Sequence, residues 1–273
     1  MDPVLKCKLE KLREIIKDLG SVVIAFSGGT DSTFLLKIAV EVLGDKALAV
    51  TATSSTYPAQ ELAEAQKLAG ILKARHRLVV SEELDIEGFA NNPPNRCYFC
   101  KHELFSKLLE IAKNERISYI LDGSNFDDLS DYRPGMIAAK ELGVRSPLKE
   151  AGITKEDIRK ISKEMGLITW NKPSFACLSS RFPYGTKITK EKLSQVDQGE
   201  IFLRTMGFQQ FRIRHHGEIA RIEVNRDQFP LLLEKTDQVI KKLKVYGFTY
   251  VVMDLEGYRT GSMNEPLSVE EKI

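Results

Sequence analysis

Residues 21–32 read SVVIAFSGGTDS, and the fold turns on this stretch. After Ser21 its next five residues are apolar and rich in β-branched side chains, which suits a short strand buried in a parallel sheet. Gly28 and Gly29 follow at once, and paired glycines let backbone N–H groups approach an anion with no Cβ in the way. A helix is predicted from Ser32 to Leu43, its positive end aimed back at the same loop. Strand, glycine turn and helix in that order make a phosphate cradle, to which Ser27 and Ser32 add hydroxyl donors. Asp31 cannot bind phosphate directly, so its expected task is to hold a Mg²⁺ that bridges phosphate oxygens. No Gly-Lys-Ser/Thr follows, so the loop is not a Walker A motif. The bland alternative is a helix N-cap behind a tight glycine turn.

Working outward, Leu5, Leu9, Leu12, Ile15, Ile16 and Leu19 recur at helical spacing over residues 4–19, and Gly20 closes that helix. Strands are predicted at 47–53, 76–80 and 118–122, and helices at 58–74 and 99–114. Residues 85–97 contain Pro93-Pro94 and read as an irregular loop. Strands alternating with helices imply an α/β domain with a parallel sheet over residues 1–180. Beyond it the rhythm changes: a helix at 189–206, a hairpin of 211–215 with 219–224, a helix at 229–246 and a strand at 248–255. That order predicts a smaller α+β domain over 181–273. His215 and His216 lack metal-ligand spacing and read as turn residues.

The chain has 273 residues, room for two domains, with 42% hydrophobic and 29% charged residues. Lys plus Arg is 40 against 38 Asp plus Glu, and from residue 181 onward the count is 15 against 13. A nucleic-acid partner would call for a far more basic surface, so none is expected. Four cysteines exclude a disulfide scaffold and suit a reducing cytoplasm. No apolar run approaches the ~18 residues of a membrane span, so no membrane partner is expected either.

Two further segments carry chemistry. After the fourth strand come Asp122-Gly123-Ser124-Asn125, Asp127-Asp128 and Asp131-Tyr132-Arg133-Pro134-Gly135. The Arg133 guanidinium offers a fixed fork of donors that can stabilise charge developing at a phosphate; a solvated loop of Asp–Arg pairs is the plainer reading. The second is Cys97-Tyr98-Phe99-Cys100, with Cys177 much later. Two thiolates one turn apart can share a metal centre, and Cys177 can add a third. Three cysteines suit a [4Fe–4S] cluster with one open iron, a zinc site would recruit Cys7, His102 or an Asp, and a redox dithiol is the remaining option. Arg212 and Arg214, two apart on a predicted strand, share one face. They can bind an anion with Ser180 and Arg181, or pair with Glu218 and Glu223 on a solvated sheet.

The SGGTDS segment resembles the PP-motif of the N-type ATP pyrophosphatases, which adenylate a carboxylate or carbonyl oxygen and release pyrophosphate. The resemblance implies a Rossmann-like adenine nucleotide alpha hydrolase (PP-loop) domain. ATP and Mg²⁺ would then be held by Ser27, Gly28, Gly29, Asp31 and Ser32, with Thr51 to Ser55 along the nucleotide crevice and Arg133 at the α-phosphate. Adding DYRPG, Asn171-Lys172, SSRFPYG at Ser179–Gly185, Glu200, RIRHH at Arg212–His216 and ARIEV at Ala220–Val224, nearly the whole chain resembles the LarE family.

That family implies sulfur transfer to pyridinium-3,5-biscarboxylic acid mononucleotide, whose two carboxylates become thiocarboxylates during assembly of the nickel-pincer cofactor of lactate racemase. The substrate phosphate would lie on Ser180, Arg181, Arg212 and Arg214. The family has two sulfur sources, a sacrificial cysteine or a cluster-bound sulfide, and Cys177 by itself fits either. The presence of Cys97 and Cys100 points to the type in which three cysteines hold a [4Fe–4S] cluster. A sulfide donor and a homo-oligomer are implied as well. The rival readings are a tRNA-thiolating PP-loop enzyme and a non-catalytic nucleotide sensor with a zinc knuckle.

Overall fold

The computed structural model describes residues 2–130, 134–173, 176–259, 261–265 and 267. It divides into two units, Met1–Glu83 with Asn95–Phe175 and Leu84–Pro94 with Ala176–Ile273.

The first unit runs α1 (Pro3–Leu19), β1 (Val22–Ala25), α2 (Thr30–Leu43), β2 (Ala47–Thr53), α3 (Ala59–Ile71), β3 (Arg75–Val80), α4 (Arg96–Glu115), β4 (Tyr119–Leu121), α5 (Pro134–Glu141), α6 (Pro147–Glu150) and α7 (Lys155–Glu164). The four strands form one parallel sheet in the order β3-β2-β1-β4. The expected Rossmann-like α/β domain is present. Alternate residues of β1 feed opposite layers: Val22 and Ile24 pack with Leu12, Ile16, Phe34 and Leu35, while Val23 packs with Phe105 and Leu108 of α4. Both faces of the sheet are therefore covered, as its continuous apolar strands require. Strand order reverses between β1 and β4, and the crevice at such a reversal, beyond the carboxyl ends of the strands, is where open α/β sheets bind ligands.

Helix α7 escaped the sequence reading, although Thr154 and Asp157 form a capping box at its start and Ile158 and Ile161 are buried. Its ten residues span fewer than three turns, too few for the apolar period to stand out from the surrounding charge.

The second unit contains α8 (Lys190–Thr205), β5 (Phe211–His216), β6 (Ile219–Val224), α9 (Phe229–Glu234), α10 (Thr236–Val245) and β7 (Tyr250–Met253). β5 and β6 form the expected antiparallel hairpin, and β7 pairs parallel to β6. The unit thus ends in a βαβ crossover, which the hairpin before it had masked in the sequence. The single helix expected over 229–246 is two. The Thr236 hydroxyl donates to the Leu232 and Leu233 carbonyls at 3.3 and 2.7 Å, ending α9. His215 and His216 close β5 rather than sitting in the turn.

Residues 84–94 pack into this unit through backbone pairing. Gly185 N–H donates to the Asn92 carbonyl at 2.9 Å and Ile188 N–H to the Ala90 carbonyl at 2.8 Å. The buried Asn92 amide returns bonds to the Phe182 and Pro183 carbonyls at 3.2 and 2.7 Å. Among the described residues no helix is long and apolar enough to cross a membrane.

Candidate functional site

The glycine loop sits where β1 meets α2, at the reversal of strand order. Gly28 has φ +66°, and a Cβ there would lie 3.0 Å from both Cα and Cβ of Ala65 on α3. Only glycine takes that conformation with so close a neighbour at no strain. The Ser27 and Ser32 hydroxyls are 3.1 Å apart, and Ser32 Oγ donates to the Gly29 carbonyl while accepting from Ser27 N–H. The two serines thereby close the loop over the first turn of α2, whose leading amides have no intrahelical partners.

From the β4 side, Gly123 packs against the same turn: a Cβ there would stand 3.2 Å from the Ser32 nitrogen. Asp122 next to it accepts from the Ser124 and Ser146 hydroxyls at 2.6 and 2.7 Å. Arg133 lies outside the described residues. Thr51 on β2 is buried, and its hydroxyl donates to the Phe26 carbonyl at 2.7 Å and lies 2.9 Å from His76 Nε2, so this side chain ties the residue after β1 to the edge strand β3.

Two lysines without an assigned role in the sequence reading close on the loop. Lys155, the first residue of α7, places its Nζ 2.6 and 2.7 Å from the two carboxylate oxygens of Asp31. Lys172 donates to the Gly28 carbonyl at 3.3 Å and pairs with Glu61 at 2.8 Å and Glu64 at 3.0 Å. Thr30, in turn, holds the Lys172 segment by donating to the Thr169 and Lys172 carbonyls at 3.0 and 3.4 Å. One lysine among 40 basic residues carries no local mark of such a role; both are brought to the loop by chain more than 100 residues away.

Cys97 and Cys100 lie one turn apart at the start of α4, Cys97 exposed and Cys100 half-buried. Cys100 Sγ is 3.8 Å from Glu83 Oε1, and burial pushes the Glu83 carboxyl above the usual range. Cys177 caps a 3-10 turn over Leu178–Arg181 in the second unit. Three thiol donors, two of them on one accessible turn, suit a [4Fe–4S] cluster in donor chemistry. Among the described residues no group of three His, Cys, Asp or Glu side chains is gathered for a metal ion.

The second unit's arginines form a buried network. Arg181 is fully buried: Nε and Nη2 donate to the two Glu200 oxygens at 2.9 Å each, and Nη1 reaches the Ala176 and Cys177 carbonyls and Ser180 Oγ. Burial alone would raise Glu200, but the Arg181 guanidinium against it outweighs that and holds the carboxyl below its ordinary range. Arg214 donates to the Ser180 carbonyl at 3.0 Å, to Glu223 at 2.7 Å and to Ser262 at 2.9 Å. Arg212 lies over the Tyr258 ring, and burial, followed by the charge of Arg181, lowers its pKa. Arg214 Nε and Ser179 Oγ are buried without a hydrogen-bond partner among the described residues.

Known proteins match this chain along most of its length. A family model described as NAD synthase matches residues 5–90. The chain is 45% identical over 97% of its length to an uncharacterised protein of Synechocystis, covering all of that protein. It is 41% identical, again over 97% of its length, to the pyridinium-3,5-bisthiocarboxylic acid mononucleotide synthase of Lactiplantibacillus plantarum, covering 96% of it. An uncharacterised protein of Methanocaldococcus jannaschii is 32% identical over 93% of this chain and 98% of its own length.

Proposed function

The chain belongs to the LarE family, that of the L. plantarum synthase, and we propose that it is an ATP-dependent sulfurtransferase acting on pyridinium-3,5-biscarboxylic acid mononucleotide. In this reading it adenylates the substrate carboxylates and converts them to thiocarboxylates for a nickel-pincer cofactor. The observation that carries the proposal is the identity to that synthase, which runs through both units.

The glycine loop supplies the first half-reaction. The phosphates of ATP lie at the start of α2, where leading amides and the Ser27 and Ser32 hydroxyls meet their oxygens. Asp31 would hold a Mg²⁺, which would supply positive charge against the phosphates, and Arg133 would meet the α-phosphate. A substrate carboxylate oxygen attacks the α-phosphorus in line, the bond to the bridging oxygen breaks, and pyrophosphate leaves into the loop. Fixed donors and charges aimed at the reacting phosphate provide the acceleration.

Cys97, Cys100 and Cys177 are the proposed ligands of a [4Fe–4S] cluster. When bound, such a group would supply sulfide to the activated carbonyl carbon, the C–O bond to the adenylate breaking so that AMP leaves with the displaced oxygen. The substrate phosphate is assigned to Arg212 and Arg214 with Ser180. Arg214 Nε and Ser179 Oγ are buried without partners among the described residues, and an anion beside the desolvated Arg212 would relieve the crowding of positive charge. Arg181, enclosed by Glu200 and three acceptors of residues 176–180, serves the same site by fixing the segment that carries Cys177 and Ser180.

The test is anaerobic purification with iron and sulfide analysis, combined with pyrophosphate release on adding ATP and the mononucleotide. Wild type should contain about four irons per chain and release pyrophosphate only with substrate present. Cys97→Ser, Cys100→Ser and Cys177→Ser should each lose iron and sulfur transfer while still releasing pyrophosphate. A colourless wild type holding one zinc refutes the cluster, and absence of substrate-dependent pyrophosphate refutes adenylation.

A further inference from the structure

We propose that Lys155 is a phosphate ligand of the ATP site, held in reserve on Asp31 while the site is empty; this rests on the ATP-site reading above. In the structure the Lys155 ammonium is 2.6 and 2.7 Å from the two oxygens of the one carboxylate in the SGGTDS motif. A Mg²⁺ on Asp31 must take up the same oxygens. Two cations crowded on one carboxylate repel, so arrival of the metal frees the ammonium.

The backbone around Lys155 is pinned and its side chain is not. The Lys155 N–H donates to Asp127 Oδ2 at 2.9 Å. The Thr154–Asp157 capping box fixes the same turn, and Lys8 holds Asp157 at 2.6 Å. The Nζ end is carried on a flexible four-carbon stem. The pair is about a quarter exposed on both sides, 27% for Lys155 and 26% for Asp31. Ion pairs open to water to this degree contribute little and exchange readily. The first turn of α2, which carries Asp31, is also where the phosphates are assigned, so a change of side-chain rotamer moves the ammonium from carboxylate to phosphate.

Charge balance favours the same residue. Lys172, the other lysine at the loop, already faces Glu61 and Glu64. Lys155 is the better-placed source of positive charge for a polyphosphate. Parked on Asp31, it also neutralises the motif and competes with any divalent ion that arrives without nucleotide.

Two binding measurements on the full chain separate this role from a purely structural ion pair. The first is calorimetric titration with inorganic pyrophosphate in the absence of metal. Lys155→Met should weaken binding about tenfold or more, the worth of one charge-assisted hydrogen bond. It should do so equally in an Asp31→Asn background, where no ion pair remains to be lost. Lys155→Arg should stay within about threefold of wild type. The second is Mn²⁺ binding without nucleotide, followed by electron paramagnetic resonance, where Lys155→Met should bind several-fold tighter because the competitor is gone.

A Lys155→Met change that leaves pyrophosphate affinity unaltered in the Asp31→Asn background overturns the assignment, and so does weaker Mn²⁺ binding. A wild type that binds neither pyrophosphate nor ATP brings down the ATP-site reading and this assignment with it. Normal wild-type binding with an indifferent Lys155→Met removes Lys155 alone.

Discussion

Replacing Arg181 by Met should destabilise the second unit by about 3–5 kcal/mol, because the substitution leaves a carboxylate buried without its counter-ion. Both partners are enclosed, Arg181 at 0% and Glu200 at 5% side-chain exposure, and they share two bonds of 2.9 Å. The remaining charge of Arg212 acts on Glu200 as well, which places the expected loss nearer the lower figure. The companion variant Arg181→Met with Glu200→Gln tests the cause. Gln can still accept from Ile213 N–H, now bonded to Glu200 at 3.0 Å, and it carries no charge. The double variant should therefore recover about 1–3 kcal/mol relative to the single one. Hydrogen exchange of the β5 and β6 amides reads the stability of this unit directly. A second readout reports on function: Arg181 Nη1 holds the Ala176 and Cys177 carbonyls, so iodoacetamide should label Cys177 faster once they are released. An Arg181→Met protein within 1 kcal/mol of wild type, or a double variant no better than the single, would refute the reasoning.

Other outcomes follow from the same geometry. Gly28→Ala should cost about 1–3 kcal/mol through its positive φ and the contact with Ala65, measured by urea unfolding, and should also depress ATP-dependent pyrophosphate release. Lys172→Met should destabilise the first unit by about 3 kcal/mol by stranding buried Glu61, with part of the loss regained in Lys172→Met with Glu61→Gln, followed by thermal melting. His215 is packed between Phe182 and Phe248, and burial, helped by the charge of Lys192, lowers its pKa to about 4. The unfolded chain takes up that proton near pH 6.5 and the folded one only near 4, so stability should fall by about 3 kcal/mol as pH drops through that window and then level off. A series of urea midpoints against pH checks this, and His215→Phe should remove the slope across that window.

Much of the first unit is legible in the sequence, because the signals that specify it are local. A β-branched run, a glycine pair and a helical period each act within one or two turns of chain, and together they locate β1, the loop and α2. The second unit was less legible. The sequence marks the hairpin, but the parallel pairing of β7 with β6 joins residues about 30 positions apart. The break in the helix over 229–246 depends on a threonine hydroxyl choosing carbonyls over water.

The candidate site residues divide the same way. Ser27, Gly28, Gly29, Asp31 and Ser32 are set by the order of residues alone, since strand, turn and helix must bring them to one point. The spacing of Arg212 and Arg214 puts them on one strand face, but only the tertiary structure buries that face and pairs Arg214 with Glu223. Lys155 meets Asp31 across 124 residues, and Lys172 meets Glu61 across 111. Local propensity has no range over such distances; packing of the sheet and its helices decides which charges face each other.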